Sequence, residues 1–428
     1  MSQSNKKYDM VVCGGGTAGV AAGYIGAKLG LKTLIVEKNI HLGGTITSAL
    51  VIPAMKSNTR NINCEFYNDF IQELKLYNGQ ITYADGNSGW FNPELSKLAL
   101  DSMLEKAGCD VLYDCEVKNA LTENNRIKSL CISSKILSLY IDSLYYVDST
   151  GDGNFSQILN NKILNNNETR QPMTLRFHVS GVNLQKFSDW LMEFDKDRNV
   201  STSCVIDGNI HLSTACTWDK DKKWALWPLF QQAVQDGVLK EADTSYFQLF
   251  TVPAMPSTVS LNCPRILLDK DVDPLDPICL SKALIEARKQ IWRIYNFLKL
   301  YLPGFEASYI SNIADMIGIR ESRRVQGKKI YTKDDILSGN VIEDPVLHAD
   351  YPIDIHSYKK DASTLQHVTV DYELPIECLR ASDYDNLYIA GRNVSADFSA
   401  QAALRIQTSC FSMGEAVARD IKRLVSSL

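Results

Sequence analysis

No Cys-x-x-Cys pair occurs among the eleven cysteines, and their odd, scattered count excludes both a disulfide framework and a zinc ribbon. Cys109 and Cys115, the closest pair, read as small buried residues in and beside a strand. Basic charge is scarce as well: 45 Lys and Arg against 50 Asp and Glu leave a formal charge of -5, which excludes nucleic acid as a partner. The polar, basic residues 1–8 are followed by no signal-peptide core, so the expectation is a cytoplasmic protein. The uncharged run at residues 10–27 is broken by Gly14, Gly15, Gly16, Gly19, Gly23 and Gly26, so it reads as strand, turn and helix with no integral membrane segment. Internal repeats and low-complexity tracts are absent, and there are six histidines.

What is present is ordinary globular material: 428 residues, 45% hydrophobic and 22% charged, enough for roughly two to three domains. Residues 8–12 read as an apolar strand, 18–29 as a helix with one bare glycine face, and 32–36 as a second strand ending at Glu37. Between them lies Gly14-x-Gly16-x-x-Gly19, the dinucleotide fingerprint in the context it requires. Gly14 permits the tight turn, Gly16 lets a pyrophosphate approach the backbone, and Gly19 allows close packing. The helix start at Thr17 and Ala18 offers amide donors. Glu37 stands where a carboxylate meets an adenosine ribose, which FAD and NAD share.

Further along, Asn92 and Pro93 open a helix that Gly108 closes, and strands follow at 110–117, 127–132 and 136–147. The middle of the chain changes to strands at 175–179, 210–212 and 247–252 among aromatic-rich helices, with a long helix near 280–302. The last segment again alternates strand, glycine turn and helix as the first residues do. A strand at 386–390 and a turn at Gly391 precede a helix whose apolar face carries Ile406, Cys410, Met413, Val417, Ile421 and Leu424.

These segments resemble the glutathione-reductase-like flavoproteins and, within them, the FAD-dependent oxidoreductase family. The resemblance rests on VVCGGGTAGVAAG, EKNIHLGGTITSALV, YVDSTGDG, QPMTLRFHVSGV, IGIRESRRVQG, YPIDIH, NLYIAGRNVSA and LRIQTSCFSMGEAVA, and so covers most of the chain. It implies an α/β fold: a Rossmann-like FAD-binding domain, a parallel sheet layered with helices, formed by 1–165 and 346–428, with an α+β substrate domain inserted at 166–345. It implies non-covalent FAD. Lys38, Gly43, Gly44, Thr45, Val117 and Gly151 then line the cofactor, Gly391 and Asn393 lie beside its ribitol, and Ala403 and Leu404 aim amides at its pyrimidine end. Relatives commonly have an acid in the ribitol turn and a histidine near residue 398; this chain has Asn393 and Phe398, and phenylalanine transfers no proton.

For the chemistry itself, Asp354-x-His356 would place both side chains on one face of an extended segment, as an acid/base pair or as a structural corner. Arg405 is a candidate charge for the reduced flavin, or a partner of a carboxylate. His178 shares a strand face with Arg176 and opposes Phe177, lining a cavity or filling structure. Arg320, Arg323 and Arg324 suit an anionic substrate or an ion-paired junction using Glu321 or Asp334. Trp90, Trp218, Trp224 and Trp227 wall a pocket or fill a core. The glycines at 151 and 153 precede Asn154, Phe155 and Ser156, so no second dinucleotide fingerprint exists. Electrons therefore pass between a small-molecule substrate and flavin N5 as hydride, in either direction, with an external acceptor or donor completing the cycle. Two rivals stay open: a non-catalytic FAD- or NAD-binding module, and an enzyme that consumes NAD as thiazole-forming relatives of the fold do. Substrate identity and oligomeric state have no signature in the residues.

Overall fold

A computed structural model describes residues 6–164, 171–216, 224–266, 273–356 and 364–427. Trp218 lies outside the described residues.

The first sheet grows from the strand-helix-strand unit. Strand β1 (Lys6–Cys13), helix α1 (Thr17–Lys28) and strand β2 (Thr33–Val36) follow one another with both strands parallel. β1 and β2 are buried on both faces, so they read as continuous apolar runs. Alternation sorts them all the same: Met10, Val12 and Ile35 enter one core with α1, while Val11, Cys13, Leu34 and Val36 enter the opposite one. Asp110–Leu112 extends the parallel pairing beside β2, and Ser138–Asp148 beside β1.

The long strand Ser138–Asp148 changes partners midway. Its first half pairs antiparallel with Arg126–Ser133, and its second half pairs parallel with Leu387–Ile389, which brings the chain's end back to its beginning. The expected strand at 110–117 is two pieces, because Asp114 takes a left-handed φ of 53° and turns the chain into Glu116–Glu123. Helices cover the sheet closely. A Cβ at Gly23 or Gly26 would lie 2.4 Å from Ile35 or 2.3 Å from Met10, and one at Gly414 only 2.0 Å from the Ala18 carbonyl, where the terminal helix Gln407–Val425 crosses α1.

The second sheet is antiparallel, in the order Ser201–Ile206, Asn209–Cys216, Phe247–Thr251, Val259–Leu261, Phe177–Ser180, Tyr309–Ile313. Phe177, Val179, Phe247 and Leu249 face helices including Leu184–Phe194 and Pro277–Tyr301. The alternate residues turn the other way, toward the first unit: Phe250 meets Trp90 edge-on at 5.5 Å, and Arg176 lies over the Phe250 ring. The fold is thus a parallel-rich α/β unit carrying an inserted α+β unit, with a cavity between them.

Candidate functional site

The cavity has a volume of about 1370 Å³, above the usual range for one small ligand. Its outer end is built from two glycine turns locked together. Gly14 takes φ 98°, and a Cβ there would lie 2.6 Å from the Ser149 carbonyl oxygen. At Gly19 a Cβ would meet the Gly14 carbonyl at 1.9 Å, so this glycine lets α1 start against the turn. Gly16 differs: a Cβ there would find nothing nearer than 3.9 Å, because that side opens on the cavity. The second turn reaches over the first, with the Gly43 amide donating to the Gly15 carbonyl at 2.8 Å.

Glu37 is buried at the end of β2. Its Oε2 accepts the Gly15 amide at 2.7 Å, and its Oε1 accepts both the backbone and side-chain amides of Asn39 at 2.8 Å. Three of about four lone-pair positions are thereby filled, leaving one for a hydroxyl. Gly14, Gly16, Thr17, Ala18, Glu37, Lys38, Gly44, Thr45, Val117, Gly151 and Gly391 all line the cavity. The structure does not bring every expected residue to that wall. Gly19 and Gly43 shape the turns from behind. Asn393 is fully buried and donates from Nδ2 to the Asp148 carbonyl at 3.1 Å, bracing the strand end. Ala403 and Leu404 are buried in the last turn of helix Phe398–Leu404. The helix ends there, and Arg405, Ile406 and Gln407 line the cavity as the terminal helix begins. The expected continuous helix is therefore two, and the exposed amides belong to the later one. Phe398 is buried at the start of the short helix, capped by Asp397 accepting the Ala400 amide.

At the inner end, two short backbone pairings gather arginines. Thr174 pairs with Arg265 and bridges to Gly318, so Arg176, Arg265 and Arg320 come from adjacent segments. Arg176 and Arg320 line the cavity. Arg176 Nη1 donates to the carbonyls of Leu50 (3.2 Å) and Ile52 (2.9 Å), and Arg320 Nη1 to Pro172 (2.6 Å) and Thr174 Oγ1 (3.0 Å). Facing them is a linear hydrogen-bonded series. Arg265 Nη2 donates to His356 Nδ1 at 2.7 Å, His356 Nε2 donates to Asp354 Oδ2 at 3.2 Å, and Arg405 Nη2 donates to the same oxygen at 3.3 Å. Because an arginine can only donate, Nδ1 must accept, and the imidazole is the neutral Nε2–H tautomer.

Electrostatics agree with that assignment. Burial and the charge of Arg320 push His356 down to about 3. Burial works to raise Asp354, but His356 and Arg405 overcome it and hold the carboxyl well below its usual range. Burial, with Arg265 and Arg405 nearby, lowers Arg320 to about 9, and burial lowers Arg176 to about 10; both stay cationic at neutral pH. Tyr351 is pushed up to about 12 by burial and Asp354, and burial raises Tyr246 as well. Both hydroxyls therefore stay protonated.

The other candidates fall outside this set. His178 is fully buried and off the cavity wall, and neither ring nitrogen has a hydrogen-bond partner among the described residues; burial and then Arg176 lower it to about 4. The arginine cluster separates because residues 320–325 are not helical: Arg323 sits by Asn154, and Arg324 is buried and donates to the Ala396 carbonyl. Trp90 stacks on Tyr83 at 4.5 Å and Trp224 is core. Sequence reasoning missed Arg265, Tyr246 and Tyr351 as site residues. A signal existed for the first: an arginine inside an apolar strand, CPRILL like TLRF, is rarely buried without a purpose.

Among the described residues no cluster of three His, Cys, Asp or Glu could hold a metal, and no helix is long and apolar enough to cross a membrane. A family model described as FAD dependent oxidoreductase matches residues 9–422. Thiamine thiazole synthase of Pyrococcus furiosus is 28% identical over 160 residues, 35% of this chain and 60% of that one. Mitochondrial dihydrolipoyl dehydrogenase of Schizosaccharomyces pombe is 47% identical over 53 residues, 12% of this chain and 10% of that one. The chain thus spans less than two thirds of the length of either curated relative. The crystal structure of p-nitrophenol 4-monooxygenase from Pseudomonas putida covers 99% of this chain and 81% of its own, at 9% identity and a TM-score of 0.51, which shows a shared fold.

Proposed function

The chain belongs to the FAD-dependent oxidoreductase family, with FAD as its cofactor, and from that premise we propose that it passes a hydride between a small organic substrate and the flavin. The observation that supports this most is the continuity of the cavity. It runs from the glycine turns to a chamber beyond the start of the terminal helix.

The residues fit FAD: the space beside Gly16 is open, Glu37 keeps one acceptor position, and the amides of the first turn of α1 have no helical partners. In this reading Gly14, Gly16, Thr17 and Ala18 receive the pyrophosphate, and Glu37 takes the ribose between Lys38 and Val117. Gly44, Thr45, Gly151 and Gly391 hold the middle, while Gly19, Gly43, Asn393, Ala403 and Leu404 support the wall from behind. FAD, when bound, supplies a carrier for two electrons and a proton. Arg405 and the first amides of the terminal helix provide positive potential where negative charge develops. His356 acts as a positioning residue, fixing Asp354 against Arg405, rather than as a free base. Tyr246 and Tyr351 stay protonated on the chamber wall, the Tyr246 hydroxyl donating to Gln248 Oε1 at 3.2 Å and the Tyr351 hydroxyl facing Asp354.

We place the domain division near 1–165 and 346–428 around 166–345, and draw the later boundary back to before Val325, because Val325, Tyr331 and Ile336 pack into the cores of the first unit. The experiment is anaerobic screening of organic compounds against FAD-loaded protein, with an external acceptor added to restore the oxidised form. Saturable bleaching by one compound class is expected; a protein that holds FAD yet is neither reduced by nor reoxidised with any organic compound would end the proposal.

A further inference from the structure

Resting on this reading of the chamber, we propose that the substrate is a small organic dianion, a dicarboxylate, held by Arg176 and Arg320. Both guanidiniums are on the cavity wall, and Arg176 is more than nine-tenths buried. Neither meets a carboxylate among the described residues. Each uses Nη1 on carbonyl or hydroxyl oxygens, and among the described residues its Nη2 meets no acceptor. Burying a guanidinium without a counter-charge is costly, so a fold that keeps two of them against a cavity favours an anion between them.

The acidic residues of the wall do not supply that anion. Asp354 is taken by His356 and Arg405. Asp152 is taken by Arg392 at 2.5 Å and by Ser322, Glu116 by Lys118, and Glu37 by the glycine turn. With His356 neutral and Asp354 held by His356 and Arg405, Arg176 and Arg320 face the cavity with no carboxylate in contact among the described residues. The pyrophosphate of the cofactor is not their partner, since it is received by the turns of the first sheet while these arginines approach from the inserted unit. Each guanidinium is fixed separately, one on the 50–52 loop and one on residues 172–174. They therefore present two forks, each matched to one carboxylate, rather than a single nest for one phosphate. Gln248, Asn262 and Tyr246 add polar contacts on the same wall.

The test titrates FAD-loaded protein with succinate, malonate, acetate and inorganic phosphate, following the visible flavin difference spectrum and the melting temperature. Succinate or malonate should bind saturably and at least tenfold more tightly than acetate or phosphate. R176Q and R320Q should each weaken that binding at least tenfold with FAD content unchanged, and R176K and R320K should recover part of it. Preference for phosphate, wild-type affinity in the folded variants, or no response to any dicarboxylate would overturn the proposal. Loss of FAD binding altogether would instead strike the oxidoreductase reading. Normal FAD bleached by a neutral compound, with no response to succinate or malonate, would leave that reading standing and remove the dianion.

Discussion

At the outer end of the cavity the wall is main chain, and at the inner end it is charged side chains. The outer end is specified by what is missing: at Gly14 and Gly19 a methyl group would strike backbone at 2.6 and 1.9 Å, and beside Gly16 it would intrude on open space. These constraints act within a few residues of one another. The inner end is assembled from residues 176, 246, 265, 320, 351–356 and 405, which meet only once two sheets and the chain terminus have come together. The first kind of site tolerates almost no substitution; the second depends on balance among charges.

The largest effects should separate the two glycine roles. Gly19→Val would force α1 away from the turn and cost about 3 kcal/mol or more, losing fold and cofactor together. Gly16→Val should leave the melting temperature of the apoprotein near wild type while cutting FAD content to less than about one tenth, since its side chain enters the space a pyrophosphate would occupy. Thermal melts paired with FAD quantification check both. Equal loss of stability in the two variants would erase the distinction between packing glycine and binding glycine.

Removing one member of the inner series tests the other region. Asp354→Asn leaves Arg405 without its carboxylate and should destabilise the protein by about 3 kcal/mol at neutral pH, measured by urea unfolding, with FAD still bound. A change under about 1 kcal/mol would show that the charges do not depend on one another.

Acid should expose the same region. His356 and His178 are held neutral, with values of about 3 and about 4 against about 6.5 for an unfolded chain. Below pH 6.5 the unfolded state binds the extra protons, so stability falls as pH falls, by on the order of 1–2 kcal/mol per histidine between pH 6.5 and 5. The Asp354 carboxyl, depressed by its neighbours, adds stability that is present above pH 4 and lost further into acid. His356→Gln should flatten the slope between pH 6.5 and 5; an unchanged slope would place that proton uptake elsewhere. The smallest effect belongs to the outer end again. Glu37→Gln keeps the shape but turns one acceptor into a donor, and should weaken FAD about tenfold in a binding titration.

This division also explains what could be read from the residues. Gly14, Gly16, Glu37 and the Asn92 cap, whose Oδ1 accepts the Glu94 and Leu95 amides, act over short spans and were legible. The break at Asp114 was not, because an aspartate in a left-handed turn leaves no periodic trace in an apolar strand. Nor was the break after Leu404, where Arg405 and Ile406 continue a helical pattern while Ile406 takes ψ 153° to begin a new helix. Arg265 and Tyr246 escaped because their partners are 91 and 19 residues away, at His356 and Arg265, and only the assembled sheet brings them together. His178 does share the Arg176 face, but alternation alone does not distinguish a cavity wall from the packed interior beside it.

In the proposed function one cavity joins an FAD site to an arginine-lined substrate chamber. The most direct test is the visible spectrum of the purified protein, with the released nucleotide identified by mass, before and after adding succinate or malonate. The account predicts an oxidised-flavin spectrum, FAD on denaturation, and a saturable spectral change with the dicarboxylate that is lost in R320Q. A colourless protein that cannot be reconstituted with FAD and retains NAD or ADP-ribose instead would contradict it.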